Sequence, residues 1–285
     1  MSKQQLAVVT DSTVNFPAEI LEEYDIPTIP LHVIWSEEIL KDGVDIQPTA
    51  FYERLQKDKD LPTTSQPSAG EFVDFFHQVA ESQGVDTIVG FFISSELSGT
   101  VASAKAAQGL LPELHIEVVD SLSTSMGLGF QVLAAMEKAK AGGSVQEVID
   151  AGSSLRYDIQ LMFMVDTLEF LHRGGRIGGA RRLLGTALRI KPLLELEHGK
   201  IDTLDQVRTR KKALARMLDV SKERAGSQPV VRAAVVHANA SEECQQLQEE
   251  VKSTLDIEEV YVTEVSPVIG THTGPGTLGV AFHTG

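Results

Sequence analysis

Two periods of apolar and polar residues alternate along this chain. Residues 6–10 form a short apolar, β-branched run that stops at the polar Asp11-Ser12-Thr13. A second run covers 28–34. Residues 87–93 are almost entirely apolar, the pattern of a strand buried on both faces. A fourth run, 116–119, closes on Asp120-Ser121. Between these runs the spacing turns helical. Pro17 opens one helix and residues 49–56 fit another. Ser68 and Glu71 form a capping box ahead of Phe72, Phe75, Phe76 and Val79, which recur at helical intervals. An alanine-rich helix follows Ser98, and a longer one covers 123–141. This alternation predicts a parallel sheet with helices on both faces, a three-layer α/β arrangement.

The pattern changes after Ser144 and Glu147, a second capping box. Residues 159–165 read as a strand. Two runs, 192–197 and 200–207, flank His198-Gly199, a hairpin turn. A helix over 208–224, a strand over 230–237, a helix from Ser241 and strands at 259–265 and 278–282 complete the chain. A hairpin among such elements predicts a mixed sheet. Length agrees with two domains. The expectation is an N-terminal parallel-sheet α/β domain over 1–150 and a C-terminal mixed-sheet α/β domain over 151–285. No linker composition marks the transition, which falls between 145 and 160.

Composition narrows the class. The 285 residues are 42% apolar and 23% charged, ordinary values for a folded chain, so wholesale disorder is excluded. The single cysteine, Cys244, makes no internal disulfide and no all-cysteine zinc site. No apolar run approaches the roughly 18 residues of a membrane span. Residues 1–5 and the short run after them are too brief for a signal-peptide core, and the expected location is cytoplasmic. A net charge of −15 argues against nonspecific nucleic-acid binding. The charge is uneven, however. Residues 173–232 hold 15 Lys and Arg against 6 Asp and Glu. Such a basic island reads as an anion site, a dock for an acidic partner, or a solvated helix face.

Ligands of open parallel sheets bind beyond the carboxyl ends of the strands. Ser12-Thr13, Ser94-Ser95 and Ser121 fall at such ends, and Thr63-Thr64-Ser65-Gln66 precedes a capped helix. Each alone reads as a turn or cap. Together they fit an anion or carboxylate pocket, to which the helix after Ser98 adds N–H groups. The stretch Gly174-Gly175-Arg176-Ile177-Gly178-Gly179 brackets Arg176, whose fork suits a phosphate or carboxylate in what otherwise reads as a glycine-rich turn. Residues 274–279 match G-x-G-x-x-G, but no helix and acidic partner can follow so near the last residue, so the dinucleotide reading is rejected. His272, between Thr271 and Thr273, reads as an anion donor, a proton shuttle or a structural histidine. No P-loop, H-E-x-x-H or G-x-S-x-G occurs. Nothing in the spacing points to a metal site or a nucleophile.

Six segments in order resemble the DegV family of bacterial fatty-acid-binding proteins. They are Val9-Thr10-Asp11-Ser12-Thr13, Thr64-Ser65-Gln66-Pro67-Ser68, and Ser94-Ser95-Glu96-Leu97-Ser98-Gly99-Thr100 in the first part of the chain. Asp120-Ser121 with Ser125-Met126-Gly127-Leu128-Gly129 is the fourth. Val165-Asp166-Thr167-Leu168-Glu169 with Gly174-Gly175-Arg176-Ile177 is the fifth, and Gly270-Thr271-His272-Thr273-Gly274-Pro275-Gly276 the sixth. The resemblance covers essentially the whole chain. Gly178-Gly179 and the pair Arg181-Arg182 depart from the ordinary pattern of the family.

The resemblance implies two α/β domains with one long-chain fatty acid between them as ligand, and no cofactor or metal. It implies that Thr64 and Ser95 hold the carboxylate, with Thr63, Ser65 and Ser94 as alternatives one register step away. It also implies a binding subunit of fatty acid kinase, inactive alone. A separate ATP-binding subunit converts the carboxyl group to an acyl phosphate. Residues similar to Arg176, Arg208 and His272 then serve partner docking or phosphoryl transfer, and lipid exchange implies transient membrane contact. The aromatic helix of Phe72, Phe75 and Phe76 reads either as a tunnel wall or as ordinary core. A stand-alone phosphotransfer or metabolite enzyme related to dihydroxyacetone kinase is the competing reading, and an anion-responsive interaction protein is a third.

Overall fold

The computed structural model describes residues 6–185 and 190–285; the expectation concerning residues 1–5 lies outside them. The first half runs β1 (Ala7–Asp11), α1 (Ala18–Glu23), β2 (Thr28–Ile29), β3 (His32–Trp35), β4 (Glu38–Lys41) and α2 (Pro48–Lys57). It continues with β5 (Thr63–Ser65), α3 (Ala69–Gln83), β6 (Thr87–Phe92), α4 (Thr100–Gln108), β7 (His115–Asp120), α5 (Ser125–Lys140) and α6 (Val145–Ser154). The second half begins with β8 (Gln160–Met164), α7 (Glu169–Arg173), β9 (Lys191–Glu197), β10 (Lys200–Val207) and α8 (Arg210–Ala225). It ends with β11 (Arg232–His237), α9 (Ser241–Leu255), β12 (Val260–Glu264), α10 (Pro267–Thr273) and β13 (Leu278–His283).

The architecture is mixed α/β. One sheet has the order β2-β1-β6-β7 with every pair parallel. A six-stranded mixed sheet has the order β10-β9-β8-β13-β11-β12, with β11 and β12 parallel and the other pairs antiparallel. The apolar run over 28–34 does not form one strand. Pro30 interrupts it, and a residue without an N–H cannot continue a ladder. Thr28–Ile29 pairs with β1, whereas β3 leaves for a separate antiparallel sheet of order β4-β3-β5. In that sheet Val33 faces Thr64. Strand β5 is too short and too polar to show a period of two, so sequence reads it as a loop. Helix α10 is likewise hidden: of its seven residues, three are threonine or glycine, all poor helix formers.

Packing explains which faces are apolar. Helices α3 and α4 cover one side of the parallel sheet, where Phe72 and Phe76 meet Val9, Ile88 and Phe92. The aromatic helix is therefore core and walls no tunnel. Helix α5 lies on the other side. Twelve of its sixteen residues are buried, as expected of a helix apolar nearly all round, because it is enclosed between the two sheets. Its partners include Val89 and Phe91 from one sheet and Leu161, Ala234, Val236 and Ala281 from the other. Along β8 the pleat sends Leu161 toward α5 and Met162 and Met164 toward α8 and α9. The basic island is largely neutralised. Arg182 pairs with Asp202, Lys191 with Asp166, Lys200 with Glu96, Arg216 with Asp205 and Glu223, and Arg224 with Glu195.

His283 ends β13 against the ring of Phe130 on α5 and is 2% exposed. Neither ring nitrogen has a hydrogen-bond partner among the described residues. Burial, and secondarily the charge of Arg232, push its pKa down from 6.5 to about 4. A depressed histidine pKa stabilises the fold above the unfolded value and loses that contribution as pH falls from 6.5 toward 4. His283→Leu should raise stability by about 1 kcal/mol at neutral pH by removing unpaired polar atoms. It should also flatten the loss in that acid window, as read by denaturant titrations at several pH values.

Candidate functional site

Between the two sheets lies a narrow cavity lined by residues of both. Its walls are mostly aliphatic. Ile93 and Leu97 come from the parallel-sheet half; Leu161, Phe163, Leu196 and Ile201 come from the mixed sheet. Val265, Val268 and Ile269 approach from α10 and the segment before it. The polar side chains in its wall include Thr64, Gln66, Ser98, Arg176 and His272. Thr64, Arg176 and His272 also line an adjoining pocket with Thr63, Phe170 and Arg173. Thr64, Arg176 and His272 thus stand between the two spaces.

Each polar group is held by local structure. Strand β5 presents Thr64 opposite Val33, and α10 carries His272 in its last turn. Thr64 Oγ1 and His272 Nε2 lie 2.8 Å apart, joining segments separated by 208 residues. Gly174 makes this possible, because a Cβ there would collide with His272 Nδ1. Arg176 donates from Nε to Leu97 O at 3.0 Å and from Nη1 to Gly174 O at 2.6 Å. Those bonds tie the glycine-rich turn to the loop after β6. Gly178 serves the same turn. Its φ of +51° suits glycine, and it packs against Ile201 O. Ser98 Oγ lies 2.8 Å from Thr100 Oγ1.

Electrostatics set the state of His272. Burial, with the Arg176 charge as a second cause, pushes its pKa down to about 4. It is therefore neutral at neutral pH and carries one N–H. Nδ1 is buried with no partner among the described residues. A proton on Nε2 makes His272 the donor to Thr64 and frees the Thr64 hydrogen for a ligand.

The expected site residues are only partly brought together. Thr64, Ser65, Arg176 and His272 line the cavity, and Thr63 lines the adjoining pocket. Ser95 does not reach either. It is exposed, and its N–H donates to Asp120 Oδ1 at 3.2 Å. Ser94 is buried, but its Oγ donates to Gly199 O at 2.8 Å, fastening the β9–β10 turn onto the loop after β6. The serine of this loop that lines the cavity is Ser98. Sequence marked Ser98 only as a helix cap, and even that role falls to Gly99, the N-cap of α4. Arg208 is exposed between β10 and α8 and lines neither cavity.

The expected convergence of four hydroxyl segments is also corrected. Thr13 donates to Asp11 and Ser12 to Asp42. Ser121 donates to Ser123 O. These hydroxyls complete turns at strand ends, so only the segment of Thr64 belongs to the cavity. Thr124 and Ser125, at the start of α5, line it as well and gave no signal beyond their place in a motif. Among the described residues no three His, Cys, Asp or Glu side chains form a metal-binding group, and no helix is long and apolar enough to cross a membrane.

Comparison with known proteins agrees with this arrangement. The family model described as "Uncharacterised protein, DegV family" matches residues 5–285. A DegV domain-containing protein of Streptomyces coelicolor is 41% identical over 278 residues, covering 97% of this chain and 98% of that protein. The solved structure of a DegV family protein from Thermus thermophilus, described by its fatty acid binding, superposes with a TM-score of 0.91 at 36% identity. It covers 98% of this chain and 99% of that one. Bacillus subtilis DegV, described as a fatty acid binding protein, superposes with a TM-score of 0.90 at 36% identity, covering 99% of both chains.

The state of His272 is directly measurable. Nitrogen NMR of the imidazole should show a neutral ring with its proton on Nε2 at pH 7 and no titration near its ordinary pKa. Gly174 has an ordinary helical φ, so Gly174→Ala adds no backbone strain but places a methyl group against Nδ1. That variant should displace the imidazole and break its bond to Thr64, seen as a changed His272 chemical shift in a folded protein.

Proposed function

The chain belongs to the DegV family, and from its cavity we propose that it binds one long-chain fatty acid and presents the carboxyl group to a separate ATP-dependent kinase subunit. The observation that carries this reading is a largely aliphatic cavity that has Thr64, Ser98, Arg176 and His272 in its wall. Transfer of a sixteen-carbon acyl chain removes roughly 14 methylenes from water at ~0.8 kcal/mol each. The gross gain is about 11 kcal/mol before the costs of association. Affinity on this scale needs no ion pair at the head. The names of the Thermus and Bacillus relatives, which state fatty acid binding, support the same ligand class.

The head group is held by hydroxyl donors. Thr64, accepting from His272, turns its hydrogen to one carboxylate oxygen, and Ser98 supplies a second donor. Neutral donors leave the carboxylate basic enough to attack phosphorus. The attacking oxygen would form a bond to the γ-phosphorus of ATP on the partner, and ADP would leave with the broken P–O pair. Arg176 stands in the same wall with two of its five donors committed to Leu97 and Gly174. The remaining N–H groups are placed to stabilise charge on the transferred phosphoryl group. His272, neutral and hydrogen-bonded to Thr64, is a positioning residue in this scheme. Arg208 and its neighbours form an exposed basic edge for docking an acidic partner surface.

Mass spectrometry of denatured protein expressed in lipid-replete cells should find one fatty acid per chain; an empty protein would defeat the proposal. Thr64→Val keeps the shape and removes one hydrogen bond to a charged group, about 1.5–3 kcal/mol. Fatty-acid affinity should therefore fall by roughly ten- to a hundredfold. Arg208→Glu should leave the fatty acid bound but abolish kinase-dependent acyl phosphate formation, read with the purified kinase subunit.

A further inference from the structure

Where Leu31, Val265, Val268 and Ser125 line it, the cavity backs onto a second one. Ser125, Leu31, Val265 and Val268 face the first. Their immediate neighbours in chain and space, Asn15, Pro30, Ser266 and Pro267, face the second. The partition is therefore a single layer of residues. The second cavity opens to the surface between α1 and the β4–α2 loop. Its sides are mixed: Val14, Phe16, Leu21 and Val44 stand beside Thr28, Gln47 and Glu264, and Leu21 and Val44 are more than half exposed.

The polar members of the partition are hydrogen-bonded to their neighbours. With its amide oriented to suit its neighbours, Asn15 donates to Ser125 Oγ at 3.2 Å and to Thr13 O at 3.3 Å. It accepts from Ser266 N at 3.0 Å. Thr263 Oγ1 donates to Asn15 O at 2.8 Å. Behind this layer stands Asp42, 2% exposed. Its Oδ1 accepts from Val268 N at 3.2 Å and its Oδ2 from Ser12 Oγ at 2.7 Å. Ser12 Oγ in turn accepts from Leu31 N at 3.1 Å, and the Ser266 side chain also bonds the carboxylate. Two of the four cavity-facing residues are thus pinned to one buried acid, Val268 directly and Leu31 through Ser12. The site is dry enough to push the Asp42 pKa up to about 6 in spite of those bonds, with the nearby Asp11 acting in the same direction.

We propose that this hydrogen-bonded bulkhead of Asn15, Ser125 and Ser266, pinned by Asp42, is the stop for the acyl tail and sets the longest chain the protein accepts. The inference rests on the fatty-acid reading of the main cavity. Its physical basis is an asymmetry. Each methylene that fits an apolar wall strengthens binding by roughly fourfold. A methyl group driven through the bulkhead would instead strip Asn15, Ser266 and Asp42 of partners they cannot replace. Sites that leave buried polar groups unpaired reject a ligand far more strongly than sites that merely lack a methylene of space. Beyond the bulkhead lies the second cavity, whose Val14, Phe16 and Leu21 would meet a longer tail.

Asn15→Gly tests the proposal. Asn15 has a φ of +51°, which glycine adopts without strain, so the variant removes the amide and joins the two cavities. Leu31→Ala, which widens the first cavity at the bulkhead, is the second variant. Competition binding against a fluorescent fatty acid is measured for myristate, palmitate, stearate, arachidate and behenate, with circular dichroism to establish folding. For the native chain, affinity should rise roughly fourfold per methylene up to a break and fall beyond it. In Asn15→Gly the break should move to a longer acid by two methylenes or more, and Leu31→Ala should move it in the same direction. A break unchanged in both folded variants, or an unchanged break in Leu31→Ala where Asn15→Gly does not fold, overturns the proposal. Failure of the native chain to bind any acid in the series would instead overturn the fatty-acid reading on which it rests.

Discussion

A neutral histidine bonded to a threonine joins the two halves of the molecule in the wall of the cavity. Thr64 sits on a three-residue strand of the first half, and His272 sits in the last turn of a short helix of the second. Burial and the Arg176 charge keep the imidazole uncharged. On the proposed fatty-acid reading, a charged imidazole would form an ion pair with the carboxylate and make it a poorer nucleophile. A neutral ring orients the hydroxyl without adding charge. The glycine at 174 is part of the same device, since any side chain there would occupy the space of the ring.

The cavity survives because its walls belong to rigid elements. Protein interiors close around voids where they can. Here α5 and the mixed sheet are each anchored elsewhere: α5 against the parallel sheet, the mixed sheet against α8 and α9. Where the two halves touch, hydrogen bonds set the gap. Ser94 holds the β9–β10 turn, Arg176 holds Leu97, and Asp42 holds the start of α10. Small residues complete the floor; a side chain at Gly279 would press on Val236, Phe163 and the carbonyl of Met162.

Much of the basic island, which in sequence looked like a functional surface, is occupied by local ion pairs. Arg216 reaches Asp205 and Glu223, and Arg210 reaches Asp166, Glu243 and the carbonyl of Gly276. Exposed pairs of this kind contribute little stability, but they do remove charge that a partner would otherwise meet. Arg176 differs because its partners are carbonyl oxygens, so its charge remains uncompensated in the cavity wall.

The alternation of apolar runs and capped helices was enough to derive a parallel sheet followed by a mixed one. Strand and helix periods are local properties, and so are capping boxes such as Ser68 with Glu71 and Ser144 with Glu147. The ordered motifs were enough to place Thr64, Arg176 and His272 in one family pattern. What composition and spacing did not carry was the choice among neighbouring hydroxyls. Ser94, Ser95 and Ser98 are chemically alike and lie within five positions of one another. One fastens a turn, one faces solvent and one lines the cavity, because the second sheet presents Gly199 to the first of them and open space to the next. The same holds for Asn15 and Asp42, whose importance arises only where α10 and β3 meet. Pairing along the chain is written in the sequence itself; contacts between segments 200 residues apart exist only after both sheets have packed on α5.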